Sequence, residues 1–410
     1  MKAAPKPELL APAGDKEKLE AALHFGADAV YLSGASFGLR KAAKNFDREE
    51  LVEAVTLAHQ SGVKVHVTMN LLPHDRDWVG LLDYAHFLDR IGVDAVIVSD
   101  PGIFMALHKE TELKLHVSTQ ASVASTATVN FWAGLGARRI VLARELSLEE
   151  IRTIRKGADP AVELEVFVHG AMCISYSGRC LLSNYMTGRD ANQGDCAQAC
   201  RWKYALVEAT RPDQAFPIVE GGGESFIFNS KDLCLLPYLK ELVEAGVSSF
   251  KIEGRVKSAF YVATVVHAYR RALDLLASGQ WGAEAVQVLL EELAKTSHRS
   301  FTSGFLLGPP GPEGQNYQTT SYIQNYAYLG TILAIDPNRR RMEVEVRNPF
   351  STGEQVELLR SQGPFSTYRI EAIEDEKGTP LDRARVPLSR VWLPLAEGGS
   401  VGDLLRKKKA

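Results

Sequence analysis

The sequence predicts an α/β protein: a TIM-like (β/α)8 barrel with a cysteine-rich insertion after strand 7, followed by a small C-terminal β-barrel domain. Three observations carry this. Across residues 1–300, eight short apolar runs alternate with segments of helical period. Across 301–324 the composition turns to Gly, Pro and Ser, as at a domain boundary. From 325 to 410, short runs of alternating polarity follow one another between turn-like stretches.

The apolar runs are, in order, "ELLAPAG", "AVYLSG", "KVHVTMN", "AVIVSD", "KLHVST", "RRIVLARE", "LEVFVHG" and "FKIEG". Between them lie helices such as "DKEKLEAALHFG" and "DREELVEAVTLAHQSG", each opening on an Asp able to cap free N–H groups and closing on Gly. Strands that alternate with helices form parallel sheets. Eight such units without a Gly-rich dinucleotide loop favour closure over an open, doubly wound sheet. The later runs "YLGTILAI", "RMEVEV", "EQVELL", "TYRIEAI" and "SRVWLPL", spaced by "DPNRR" and "NPFSTGE", make the second domain antiparallel. Its basic tips, "NRRRM" and "LLRKKKA", read as solvated ends or nucleic-acid contacts.

In such barrels, chemistry sits at the C-terminal ends of the strands. The polar residues there are Asp15, Asn70, Asp100, Thr119, Gln120, Arg144, Glu145, His169, Glu253 and Arg255. Among them, Asn70, Gln120 and Arg255 are candidates for holding substrate, and His169 and Glu253 for moving protons. The competing reading of each is a helix cap or a satisfied structural group. The cysteine segment starts directly after "LEVFVHG", which puts the insertion, 171–234, on the same face.

The composition is that of an ordinary globular enzyme: 410 residues, 45% hydrophobic, 24% charged, with a formal net charge of −3. That charge supplies no global attraction to nucleic acid, so RNA contact needs a local basic face. No apolar run reaches the roughly 18 residues of a membrane span. The start lacks a secretory core, so the expected location is cytoplasmic. In a reducing compartment, clustered cysteines are metal ligands or catalysts more often than disulfides.

All five cysteines fall between 173 and 234: Cys173-x6-Cys180-x15-Cys196-x3-Cys200, then Cys234 after 33 more residues. A zinc ribbon uses two short Cys-x2-Cys knuckles, and this chain has a single close pair of different gap. An iron–sulfur cluster accepts looser spacing because its thiolates converge from several segments. Zinc and scattered buried thiols remain the alternatives. Five cysteines exceed the four either site needs, so one is spare or reactive.

"EVFVHGAMCISYSGRCLLS" resembles the signature of peptidase family U32, the collagenase-like peptidases, through Glu165, Phe167, Gly170, Ala171, Cys173, Gly178, Cys180 and Ser183. "PELLAPAGDKEKLEAALHFGADAVYLSG", "FGLRKAAKNF", "NQGDCAQACRWKY", "NSKDLC" and "FKIEGRVKS" extend the likeness over nearly the whole chain. The resemblance implies an oxygen-independent hydroxylase with a 4Fe–4S cluster, of the subgroup that hydroxylates the wobble uridine of tRNA in a prephenate-dependent reaction. It also implies Cys173, Cys180, Cys196 and Cys234 as cluster ligands, with Cys200 as the alternative fourth. An electron-donor protein or a partner subunit of the same family would complete such a system.

Hydroxylating a pyrimidine without O₂ requires electron chemistry that side chains lack, hence a cofactor. Prephenate or a similar dicarboxylate calls for guanidinium forks, and Arg179, Arg189, Arg201 and Arg255 lie beside the cysteine motifs or at a strand end. Trp202, with Tyr176, Tyr185 and Tyr204 among Arg201 and Lys203, suits stacking on unpaired bases, core packing being the plainer reading. Against these stand a peptidase, with Cys200 as nucleophile and His169 as base or with Ser36 in "GASFG", and a non-catalytic RNA-binding protein stabilised by its cluster.

Overall fold

A computed structural model describes residues 6–39, 43–202, 205–208, 210–217, 229–310, 314–316 and 321–409. The first domain is built on eight parallel strands: β1 (Glu8–Pro12), β2 (Ala29–Leu32), β3 (Lys64–Met69), β4 (Ala95–Val98), β5 (Leu115–Val117), β6 (Arg139–Val141), β7 (Glu163–Ala171) and, after β8 (Ala205–Glu208), β9 (Arg211–Pro217) and β10 (Asp232–Cys234), the closing strand β11 (Ser249–Ile252). β11 pairs with both β1 and β7, which closes the ring. The eight-unit alternation in the sequence therefore does build a closed barrel.

Helices α1 (Lys16–His24), α2 (Arg48–Gln60), α3 (Leu81–Arg90), α4 (Pro101–Glu110), α5 (Thr126–Gly134) and α6 (Leu148–Gly157) connect successive strands. In the cysteine segment lies α7 (Leu182–Thr187), and beyond it come α8 (Leu239–Glu244), α9 (Ala259–Ala277) and α10 (Ala283–Leu293). Their starts follow the expected chemistry. Asp15 caps α1, Asp100 caps α4, and Asp47 and Ser147 form capping boxes with Glu50 and Glu150. Two strand-end acids from the sequence reading, Asp15 and Asp100, thus act as caps.

The inside of the barrel is not purely apolar. Arg139 Nη1 reaches Glu8 at 2.5 Å and Glu165 at 3.0 Å, while its Nη2 reaches Glu163 at 2.6 Å. Lys251 Nζ meets the other oxygen of Glu165 at 2.9 Å, and Ser249 Oγ donates to that carboxylate at 3.0 Å. His66 and His116 lie edge to face beside this column, 4.8 Å between ring centres. Every inward strand of the seam between β6, β7 and β11 contributes a charge, and the charges alternate in sign.

β7 is interrupted by a bulge. Its pairing with β11 runs Phe167 to Lys251 and then His169 to Ile252, so Val168 is the extra residue. Beyond it, β7 leaves the barrel and pairs antiparallel with β10, which also pairs with β12 (Phe301–Thr302). Residues 301 and 302, expected in the linker, are therefore part of the first domain.

The second domain is antiparallel, with strand order β17 (Ser366–Arg369), β16 (Gln355–Leu359), β20 (Leu404–Lys408), β13 (Tyr326–Asp336), β14 (Arg341–Val346), β19 (Arg390–Pro394), and a separate ribbon of β15 (Phe350–Ser351) and β18 (Arg383–Ala384). The sheet curls until its outer strands meet: Tyr368 Oη of β17 donates to Pro394 O of β19 at 2.7 Å. It docks on the barrel domain through buried charge. Arg406, fully buried, holds Glu292 of α10 at 2.5 Å and Glu357 of β16 at 2.9 Å, and Lys295 bridges the same two carboxylates at 2.6 and 2.9 Å.

Removing one member of a buried ion cluster strands its partners. Arg406→Ala is expected to destabilise the protein by about 3–5 kcal/mol, read from denaturant unfolding curves. Burial lowers the His66 pKa from 6.5 to about 4, partly countered by Glu8 and Glu165 and assisted by Arg139 and Lys251. The unfolded chain therefore takes up a proton on this ring at a higher pH than the folded one. Stability from this group is complete above pH 6.5 and declines as the pH falls toward about 4. Denaturation midpoints measured across that window should fall, and His66→Gln should flatten the decline.

Candidate active site at the barrel mouth

At the C-terminal ends of the strands a cavity encloses about 580 Å3, part of it open to solvent. Asn70, Gln120, Glu253 and Arg255, all expected here from sequence, line it. With them stand Arg144, Lys251, Tyr31, Phe167 and Ser177. Asn70 is oriented by donating to Ser118 Oγ at 3.2 Å, and Arg255 by donating to Thr68 Oγ1 at 3.2 Å and to Leu39 O. Three cations thus border one cavity, with Glu253 beside them.

Two of the three escaped the list of expected ligand-binding groups. Arg144, read only as a strand-end polar residue, ties the pocket to the cysteine segment. Its Nη1 donates to Ala171 O at 3.0 Å and its Nη2 to Ser177 Oγ at 2.8 Å, with the guanidinium 5.4 Å from the Phe167 ring centre. Lys251 sits inside an apparently apolar run, "FKIEG". The signal that would have found it is a lysine between Phe250 and Ile252, on a strand buried on both faces.

The segment carrying the cysteines folds over the mouth. Ser122 Oγ donates to Ser177 O at 3.1 Å and accepts from Arg179 Nε at 3.2 Å. Gly178 adopts φ +79°, and a Cβ there would lie 2.7 Å from Gln120 O, so the turn docks only as glycine. Farther on, Asn192 bonds both N and O of Cys180, Ser183 Oγ accepts from Ala197 N at 2.9 Å, and Arg201 Nη2 donates to Met172 O at 3.0 Å. Arg189 is exposed and paired with Asp195 at 2.8 Å. Of the expected arginines, Arg255 alone lines the cavity; Arg179, Arg189 and Arg201 belong to the insertion.

These staples sort the five thiols. Cys173, Cys180, Cys196 and Cys200 are half-buried, and Cys234 is buried. Burial pushes the Cys200 thiol up to about 11; Arg201 opposes this, while the neighbouring Cys173, Cys196 and Cys180 add to it. Cys200 therefore shares its surroundings with the other three. Cys196 Sγ accepts from Gln198 N at 3.4 Å. Cys234, the expected fourth ligand, is buried against α9, its Sγ 4.0 Å from Tyr269 Oη and its thiol pushed up to about 11, chiefly by burial. The thiols are not drawn into ligating geometry, for among the described residues no three His, Cys, Asp or Glu side chains surround one metal position.

His169, expected as a proton donor at the mouth, is turned away from it. Strand alternation would place it on the side of Phe167, but the bulge at Val168 rotates it outward. It packs against Tyr261 and Tyr269 of α9 and against Phe301, accepts or donates at 3.4 Å with Tyr269 Oη, and is lowered by burial to about 3. It is a neutral core residue. Neither peptidase constellation forms: the bonded partner of His169 is Tyr269 rather than Cys200, and Ser36 is exposed on the loop after β2.

The insertion also gathers exposed apolar side chains: Ile174, Tyr176, Leu181, Tyr185, Met186 and Trp202. Tyr185 is 86% and Trp202 42% exposed, so the stacking candidates on described residues face solvent rather than the core. Lys203 and Tyr204 lie outside the described residues. Among the described residues no helix is long and apolar enough to cross a membrane.

A family model described as "Peptidase family U32" matches residues 14–316, and another, "Peptidase family U32 C-terminal domain", matches 324–406. The chain is 41% identical over 407 residues to tRNA hydroxylation protein P1 of Bacillus subtilis, covering 98% of this chain and 95% of that one. It is 35% identical to tRNA hydroxylation protein P of Escherichia coli, covering 96% and 94%. A 23S rRNA 5-hydroxycytidine synthase of Escherichia coli is 35% identical over 86% of this chain and 52% of its own. Spanning both domains at this level of identity, the chain belongs to peptidase family U32.

Proposed function

We propose that the protein is an RNA-modifying hydroxylase that forms 5-hydroxyuridine at the tRNA wobble position without O₂, using an iron–sulfur cluster and a small dicarboxylate such as prephenate. Two relatives spanning nearly the whole chain are named for tRNA hydroxylation, and a third for an rRNA 5-hydroxycytidine. The observation that carries the reading is that Cys173, Cys180, Cys196 and Cys200, all half-buried, lie on the segment that folds over a cation-lined pocket.

The donor set fits a cluster. It offers four thiols from separate turns, one of which already receives a backbone N–H of the kind that tunes cluster sulfur. Cys173, Cys180, Cys196 and Cys200 would hold it, with Cys234 left as a buried thiol. When bound, a cluster supplies the one-electron or Lewis-acid chemistry that side chains lack.

The chain's own residues do the rest. Arg144 and Arg255 offer planar donor forks to carboxylates, and Lys251 adds a point charge on the wall. Asn70 and Gln120 offer neutral hydrogen bonds to the ligand, and Glu253 is placed to exchange a proton at the pocket wall. Tyr176, Tyr185 and Trp202, with Arg179 and Arg201 beside them, offer stacking faces and cations to an unpaired loop. The geometry does not assemble a thiol peptidase site: burial pushes the Cys200 thiol up to about 11, and the bonded partner of His169 is Tyr269.

Anaerobically purified protein should be brown, and Cys173→Ala should abolish its broad visible absorption. Cys200→Ala should lose most of the bound iron and Cys234→Ala little, as read by iron analysis; the reverse order would restore Cys234 as the ligand. Nucleoside analysis of tRNA from a deletion strain should show the wobble hydroxylation lost. Colourless protein with one zinc per chain, or unchanged tRNA in a strain without a paralogue, overturns the reading.

A further inference from the structure

We propose that Lys251 forms a protonated imine with the ketone of a small 2-oxo carboxylate bound at the barrel mouth. This rests on the carboxylate-binding role given to the pocket above and extends it to covalent chemistry.

The case begins with placement. Lys251 is 4% exposed, and it lies on the pocket wall near the end of β11 rather than deep in the apolar shell. Its Nζ has one hydrogen-bond acceptor among the described residues, Glu165 at 2.9 Å. Its other contacts are ring faces, Tyr31 at 4.5 Å and Phe167 at 5.6 Å from the ring centres. An ammonium carries three donors, so two are left without an oxygen or nitrogen partner among the described residues. Glu165 does not depend on Lys251 alone for neutralisation, because Arg139 and Ser249 already bond its other oxygen. A lysine needed only as a counter-ion would gain nothing from standing on a cavity wall.

The surroundings then select a ligand. Arg144 and Arg255 border the same cavity and match the planar oxygens of a carboxylate. A carbonyl next to that carboxylate would bring its carbon toward the amine. Lysines confined in apolar surroundings near other cations are activated as nucleophiles toward carbonyls. Here burial, aided by Arg139 and Arg255 and opposed by Glu165, lowers the Lys251 pKa.

The reaction balances without an outside reagent. Lys251 passes a proton to Glu165 and the free amine adds to the ketone carbon; the new alkoxide takes a second proton from the added nitrogen, and once Glu165 returns the first the carbinol oxygen leaves as water. Ammonium and ketone become protonated imine and water, with no electrons transferred. The nitrogen begins and ends with one positive charge, so the buried column of Glu8, Arg139 and Glu165 keeps its balance throughout.

The test uses the full-length protein with pyruvate or 2-oxoglutarate and sodium borohydride, followed by peptide mass spectrometry. The expected result is one reduced adduct per chain, on the peptide containing Lys251. It should be absent with lactate or malate, which lack the ketone, and lost in Lys251→Arg, whose folding is checked by its unfolding curve. Because the adduct is mapped on the unaltered protein, the result does not depend on that variant. Adducts scattered over surface lysines, or none, overturn the proposal. Calorimetry with malate separates the two readings: binding without trapping leaves the carboxylate pocket standing and removes the imine, whereas no binding removes both.

Discussion

The structure depends on a carboxylate with no exposure to solvent. Glu165 sits where the barrel closes, and its two oxygens are shared between Arg139 of β6, Ser249 and Lys251 of β11. Taking an ion out of water costs several kcal/mol, and only close, well-aligned opposite charges offset that. Burial would raise the Glu165 pKa, but Lys251 and Arg139 overcome it and hold the carboxyl below its ordinary range. The penalty for a misaligned partner gives the seam a single register. An apolar seam of alternating Val and Ile would tolerate more than one.

The architecture was largely legible because it rests on local signals that are strong and repeated. Apolar runs recur with every unit, Asp or Ser caps and terminal glycines with most, and each means the same thing at each recurrence. The mouth was legible by topology, which is why Asn70, Gln120, Glu253 and Arg255 all line the cavity. What was illegible depended on departures from period. His169 is two residues past Phe167 and by alternation shares its side, yet one extra residue in β7 reverses it. A bulge leaves little mark on the residues that form it, although Gly170 at φ +113°, packed against Glu253 O, was a trace of one.

The cysteines show a different limit. Spacing put the thiols in one segment without showing which share surroundings, because β8 and β9 intervene between Cys200 and Cys234. β10 fixes Cys234 opposite His169, in the layer between barrel and α9, while the turn at 199–201 is pinned to Met172 beside Cys173. Where each turn of the segment sits is set by hydrogen bonds that arise only after folding, from Asn192, Ser183 and Arg201. The sequence contains all three residues without indicating what they hold. The internal charges were missed for a related reason: Arg139 and Lys251 lie in runs whose apolar neighbours conceal them, and only closure brings them face to face.

The nine residues of β7 compare with three in β6 and four in β11, its barrel neighbours, and they pair on both sides of the bulge in succession. The lower half is stitched into the ring. The upper half departs with β10 and continues straight into the insertion. One unbroken backbone therefore joins the closed ring to the cysteine-bearing segment that folds over its mouth. A displacement of the outer segment is delivered along covalent bonds to the joint of the cylinder, so the two halves are mechanically one element.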